Sequence, residues 1–176
     1  MGRTQNNEIS DESRRPHNPY ASHPEGLKIA LLRPRIPQNT GSVARMCAAT
    51  GCSLDIVAPF FQIDDKKLKR AGLDYWPHLD VFVFDSLEEW LERRGGDSLW
   101  FLEVGAPRFY TEARFAPRDI LVFGDEEEGI PAEWLCERRE RHLSIPQKNV
   151  RSLNLATSVG IVTYEALRQL SWRSIL

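Results

Sequence analysis

The sequence predicts an α/β fold built on a parallel sheet with helices on both faces. Short apolar runs at 27–32, 54–58, 81–84, 99–104, 120–123 and 143–145 alternate along the chain with stretches of helical character. The runs are nearly continuous rather than alternately polar, which suits strands buried on both faces. Strand–helix alternation then places crossover helices over the sheet. Length agrees, because 176 residues with 41% hydrophobic content suffice for one domain with a sizeable core.

Residues 1–26 stand apart. They are rich in Asn, Ser, Arg and Pro, and besides Met1 their large apolar residues are Ile9 and Tyr20. Such a segment cannot bury enough surface to offset its ordering entropy. It is predicted as a flexible polar tail ahead of a domain spanning 27–176. The run 27–32 is the first strand. A helix follows at about 41–50, with Asn39 or Thr40 as N-cap and Gly51 as its stop. Beyond the runs 54–58 and 81–84, Ser86 and Glu89 have capping-box spacing and open a second helix. The runs 99–104 and 120–123 follow as strands, and Pro131 suits the first turn of a third helix. The last strand, 143–145, leads to the longest helix, about 152–172. There Leu153, Ala156, Val159, Thr163, Ala166, Leu167 and Leu170 repeat at helical spacing.

Composition excludes several function classes. The chain carries 23 Lys plus Arg against 25 Asp plus Glu, a formal net charge of −2. That argues against a protein held to nucleic acid by bulk positive charge, while leaving local basic surfaces open. Cys47, Cys52 and Cys136 form no C-x-x-C and have no His at zinc-ligand spacing, so neither a disulfide scaffold nor a metal site is expected. No apolar run reaches membrane-spanning length, and the N-terminus lacks the apolar stretch of a secretory signal. The expectation is a cytoplasmic protein with no membrane partner. Gly-rich dinucleotide loops, Walker loops and nucleophile elbows are absent. His17 and His23 fall in the tail, and His78 and His142 are isolated, which leaves a His-based triad without support.

Three segments fit loops at the carboxyl ends of strands, where open α/β sheets bind ligands. The first, 33–45, leaves a strand, turns through Pro34 and Pro37, and starts a helix whose free N–H groups suit an anion, with Arg45 about one turn inside. Taken alone it also reads as an ordinary capped helix. The second, 123–131, places Gly124 directly after a buried strand, then four carboxylates, Gly129 and Pro131. Most such charge runs are solvated loops, but a strand–Gly–loop–Gly–Pro layout is tightly constrained. In the third, 145–156, a polar loop brings a Ser152 hydroxyl and the Asn154 amide to a helix start, which alone reads as a Ser-capped helix.

In this order and spacing, the three segments resemble the SpoU/TrmH-like branch of the SPOUT class of RNA methyltransferases. Its signatures N-x-G-x-x-x-R, F-G-x-E-x-x-G and I-P-x-x-x-x-x-S-[LM]-N correspond here to Asn39/Gly41/Arg45, Phe123/Gly124/Glu126/Gly129 and Ile145/Pro146/Ser152/Leu153/Asn154. Residues 64–75 and 162–169 are further similar to the compact TrmL-type members, which methylate the ribose 2′-oxygen of the wobble cytidine or uridine of certain leucine tRNAs. The resemblance covers about 27–173. Two positions depart from the pattern: Leu102-Glu103-Val104-Gly105 stands where a Thr/Lys-containing segment is common, and Glu128 where an Arg is common.

The resemblance implies a parallel SPOUT sheet whose C-terminal part forms a trefoil knot, although knots are rare exceptions to the usual connection rules. It implies S-adenosylmethionine as cofactor, held by Leu102, Gly124, Ile145, Ser152, Leu153 and Asn154, without a metal. It implies a homodimer with a shared active site, the long C-terminal helix being a candidate dimer face, and tRNA as partner. Arg45 is the implied essential residue, either as base or as holder of the substrate phosphate. A guanidinium with a pKa above about 12 keeps its proton, which is the difficulty with the first role. Asn39 would order its loop and Glu126 brace the site. Lys66, Lys67 and Arg70, in the densest basic cluster, become candidate RNA contacts, together with Arg151 and Tyr164. The alternatives are 2′-O-methylation of another tRNA position or of rRNA, and a knotted RNA-binding module without catalysis.

Overall fold

The computed structural model describes residues 26–63, 79–131, 134 and 139–170. The expected tail, the basic cluster with Lys66, Lys67 and Arg70, Cys136 and most of the helix expected after Pro131 lie outside the described residues. The strands are β1 (Lys28–Leu32), β2 (Ser53–Val57), β3 (Val81–Phe84), β4 (Leu99–Leu102), β5 (Arg108–Phe109), β6 (Ile120–Phe123) and β7 (His142–Ser144). They form a seven-stranded sheet in the order β3-β2-β1-β6-β4-β7-β5. Every pairing in it is parallel. The apolar runs read from the sequence are all strands. The two-residue β5 has no apolar run to announce it. It is held by its pairing with β7, where Ser144 Oγ donates to Ala106 O at 2.8 Å.

The parallel sheet buries side chains on both faces, as continuous apolar strands require. On one face Ile29, Leu31, Leu54, Ile56 and Leu121 pack against α1 (Pro37–Thr50) and α3 (Leu155–Gln169) through Val43, Cys47, Val159 and Val162. On the other, Ala30, Leu32, Val57, Ile120 and Val122 meet Leu87 and Trp90 of α2 (Leu87–Arg94). The edge strands are the exception, since Phe82 and Val83 of β3 and Phe109 of β5 are exposed. Burial pushes the Cys52 thiol up to about 11 and raises Cys47 as well, so both are inert apolar side chains. His142 stacks on Phe101 with centroids 5.0 Å apart, and burial lowers its pKa.

Two helix starts differ from expectation. Helix α1 begins at Pro37 after Ile36, so Asn39 and Thr40 are buried first-turn residues and neither is its N-cap. Pro37 fits there because a first-turn N–H has no intrahelical partner to lose. Gly51 closes α1 in the left-handed conformation, as expected (φ 73°). Helix α3 begins at Leu155, capped by Asn154 rather than Ser152, with Asn154 Oδ1 accepting from Thr157 N. Ser86 caps α2 through Glu89 N at 3.1 Å, as its spacing predicts.

Buried polar groups tie α2 to the sheet. Asp55, fully buried in β2, accepts at Oδ2 from Trp90 Nε1 at 2.9 Å and from Arg94 Nε at 3.0 Å. Replacing Trp90 with Phe removes a donor from a buried carboxylate and should lower stability by about 2 kcal/mol, read by thermal unfolding. An unchanged melting point would show that Arg94 alone satisfies Asp55.

Candidate active site

The loops after β1, β4, β6 and β7 meet at the carboxyl edge of the sheet and enclose a cavity of about 320 Å³. Its walls include Ile36 and Asn39 from the first loop and helix, Leu102–Val104 after β4, Phe123–Glu126 and Gly129 after β6, and Ile145 with Ser152–Leu155 after β7. The three segments singled out in the sequence therefore share one cavity. All six residues expected around a cofactor, Leu102, Gly124, Ile145, Ser152, Leu153 and Asn154, line it, as do Asn39 and Glu126.

A chain of hydrogen bonds joins the three segments. The Glu126 carboxylate accepts from Arg35 N at 2.8 Å, Ile36 N at 3.3 Å and Asn39 Nδ2 at 3.0 Å. Asn39 Oδ1 then accepts from Asn154 Nδ2 at 2.9 Å, while Asn154 Oδ1 accepts from Thr157 N at 3.2 Å. Glu126 thus places negative charge at the entry to α1, where the helix dipole favours it. The N-terminal ends of α1 and α3 are pinned side by side at the cavity rim.

The acidic run is largely consumed internally. Asp125 Oδ1 accepts from Glu127 N and Glu128 N at 2.6 and 2.7 Å, and Asp125 and Gly129 exchange backbone hydrogen bonds. Its Oδ2 accepts from Arg35 Nε and Nη2 at 3.1 and 3.0 Å. Burial alone would raise the Asp125 pKa, but Arg35 and these two N–H groups outweigh it and hold it below the usual carboxylate range. Arg35 also pairs with Glu127 at 3.4 Å and Glu128 at 3.0 Å, both mostly exposed. Arg35 was not singled out in the sequence, because its partners lie about ninety residues away.

Gly124 has no room for a side chain, since a Cβ would stand 2.1 Å from Gly129 C and 2.4 Å from Ile130 N. Glu103 was also missed from the sequence. It lines the cavity, accepts from Ile130 N at 3.3 Å, and has its pKa raised by burial. Arg45 lies on the exposed side of α1 and is not part of the cavity wall. Arg151 donates to Glu127 O at 2.8 Å beside the cavity, and Tyr164 is an exposed residue of α3. Among the described residues, no group of metal-ligating side chains is assembled and no helix is long and apolar enough to cross a membrane.

The chain is similar to known proteins. Residues 26–164 match the SpoU rRNA Methylase family. The chain belongs to that family. A SpoU relative from Saccharophagus degradans, named tRNA (cytidine(34)-2'-O)-methyltransferase, is 39% identical over 149 residues, covering 83% of this chain and 97% of its own. A solved structure described as "Structural insights into the 2-OH methylation of C/U34 on tRNA" superposes with a TM-score of 0.78 at 44% identity, covering 85% of this chain and 99% of the other. The SpoU methyltransferase AviRb from Streptomyces viridochromogenes, solved with AdoMet, matches with a TM-score of 0.69 at 25% identity over 88% of this chain and 64% of its own.

Two outcomes test this SpoU site. Gly124→Ala forces a Cβ into the backbone of Gly129 and should cost about 3 kcal/mol, the top of the overpacking range, in thermal or denaturant unfolding. A melting point equal to wild type would mean the loop has room after all. Glu103→Gln should raise the melting temperature at pH 7. Because the folded pKa is raised, the unfolded chain releases this proton first, and stability falls as pH rises through the folded value. The gain should therefore shrink toward pH 4, where both proteins carry a neutral side chain.

Proposed function

We propose that this chain is an S-adenosylmethionine-dependent tRNA methyltransferase that modifies the ribose 2′-oxygen of the wobble nucleoside at position 34, a cytidine or modified uridine, in leucine tRNAs. The observation that carries the reading is the Glu126–Asn39–Asn154 chain, which welds three distant sequence signatures into the rim of one cavity. The wobble position and the base choice rest on the named relative and on the 2-OH methylation structure.

The cavity suits the cofactor. Its volume falls in the range of about 300–1,000 Å³ typical of small-molecule sites. Leu102, Ile145 and Leu153 supply apolar walls for a flat adenine, and Gly124 lets backbone groups approach it. The carboxylates of Glu103 and Glu126 complement a ligand of net positive charge. The bound cofactor supplies an electrophilic methyl group on a sulfonium.

The protein's own residues align and shield. Alignment of the ribose oxygen for in-line attack is worth up to roughly 7–11 kcal/mol for near-ideal geometry. Asn39 and Asn154 hold the two helix starts that frame the cavity, and Glu126 fixes the loop between them. Arg45 keeps its proton and clamps the phosphate beside the target ribose, with that phosphate or water taking the hydroxyl proton. Its place outside the cavity wall of its own chain favours a homodimer in which Arg45 reaches the partner's cavity. The α1–α3 face, which carries both Arg45 and Tyr164, is the interface in this reading. Arg151 contacts RNA beside the cavity, and Lys66, Lys67 and Arg70 contact the anticodon stem.

A trefoil knot accounts for the path of the last segment. After β7, Ile145, Gln147 and Ser152–Asn154 line the cavity together with residues of the loops following β4 and β6, and α3 packs on the same face of the sheet as α1. The catalytic domain in this reading is 27–176, and residues 1–25 precede the family match, which starts at residue 26. The protein works in the cytoplasm, where its tRNA substrate resides.

Incubation with labelled S-adenosylmethionine and bulk tRNA, followed by nucleoside mapping, should place the methyl group on the ribose at position 34. No transfer with cofactor binding intact would leave a non-catalytic RNA-binding module, and transfer elsewhere would name a different RNA position. Arg45→Ala should lower transfer at least a hundredfold while leaving cofactor affinity within twofold. A fully active variant would remove Arg45 from the mechanism.

A further inference from the structure

Large apolar side chains are exposed on the loops at the carboxyl edge of the sheet: Ile36 and Val104 on the cavity wall, Val150 on the loop after β7, and Phe60 on the loop after β2, linked to the wall through Arg35 and Asp125. Among them Phe60 is the most exposed, at 59%. A free phenyl ring in such a place would sample several rotamers, but this one is held. Its backbone N–H donates to Pro34 O at 3.1 Å. The Arg35 guanidinium lies over one ring face, with Cζ 4.3 Å from the centroid.

Arg35 is itself fixed. It makes two hydrogen bonds to Asp125, a residue of the cavity wall, and pairs with Glu127 and Glu128. Its charge is thereby engaged by three carboxylates, so Arg35 is poorly placed to bind an RNA phosphate. What it provides is position. A flat π surface without hydrogen-bonding groups is presented next to the cavity, through a chain of contacts that ends in the cavity wall.

We propose that Phe60 is a stacking platform for a nucleobase of the substrate RNA, either the target nucleotide or its immediate neighbour. Single-stranded loops are recognised by stacking unpaired bases on aromatic rings and guanidinium planes. Such stacking tolerates sequence because every base has a π face. A stack at this point holds the backbone of the target in register with the cavity, which is a positioning role. The inference rests on the RNA-methylation reading, and its test separates the two.

The test compares wild type with Phe60→Ala, Phe60→Leu and Phe60→Trp, using the full chain, S-adenosylmethionine and bulk tRNA. The Ala and Leu variants should raise the KM for tRNA about tenfold, within the range for loss of one base–aromatic stack. Their kcat should stay within threefold, and their cofactor affinity and melting temperature should match wild type. The Trp variant should keep the wild-type KM. Filter retention of tRNA by the same four proteins should show the same ranking, which keeps the platform testable if transfer is absent. Wild-type tRNA affinity in the Ala or Leu variant overturns the platform. So does a loss in all three variants accompanied by weaker cofactor binding, which marks a purely structural ring. Absence of transfer by the wild-type protein overturns the methyltransferase reading instead.

Discussion

The Glu126 carboxylate is the joint on which the cavity depends. It takes three donors from the turn into α1: two backbone N–H groups that precede the helix and the Asn39 amide. Two of these are main-chain groups that would otherwise need water or another partner near a crowded rim. By satisfying them from the opposite loop, Glu126 fixes where α1 begins. Asn39 is then oriented, because its Nδ2 is committed to Glu126 and its Oδ1 is left for Asn154. Asn154 in turn caps α3 with its own oxygen. One carboxylate therefore sets the positions of two helix starts, and each link uses both ends of an amide. Such networks are strongest when complete, and the buried member, Asn39, would lose a partner at either end of its amide if a link were broken.

The acidic run follows the same economy of partners. Four consecutive carboxylates beside a cofactor cavity look hostile to an anionic substrate. Asp125 is spent on two backbone N–H groups and Arg35, and Glu126 on the α1 entry. Only Glu127 and Glu128 stay mostly exposed, and both lean on Arg35. The field at the mouth is therefore smaller than the sequence suggests. The positive ends of α1 and α3 face the same rim and oppose what is left of it. A net charge of −2 over the whole chain says little about this surface.

Legibility in the sequence tracked the range of the interactions. Strands were readable because burial on both faces writes a continuous apolar run, and β6 falls on its run residue for residue; β3 matches its run too, although Phe82 and Val83 at the sheet edge are exposed. The Ser86 cap was readable because its partner is three residues away. The start of α3 is not legible locally, since Ser152 and Asn154 are comparable N-caps by local preference. What decides for Asn154 is Asn39, 115 residues distant. The entry to α1 failed for the same reason: Asn39 and Thr40 are good caps in isolation, but Glu126 supplies the acceptor from another loop. β5 left no trace, since two residues held by β7 need no apolar pattern of their own.

Arg35 and Glu103 extend that lesson to chemistry. Neither belongs to a signature, yet one holds the loop carrying Asp125 and Glu126 and the other supports the turn at Gly129 and Ile130. Gly124 admits no side chain because Gly129 and Ile130 press against it, and Gly129 adopts φ 74° directly above the Glu103 carboxylate. The loop is thus shaped from both sides, by a guanidinium outside and a half-buried carboxylate beneath. Burial disfavours the charge on Glu103, so this support is held at a cost in stability. Glu103 also lines the cavity, so the side chain that supports this turn borders the space between the loops, although no signature contains it.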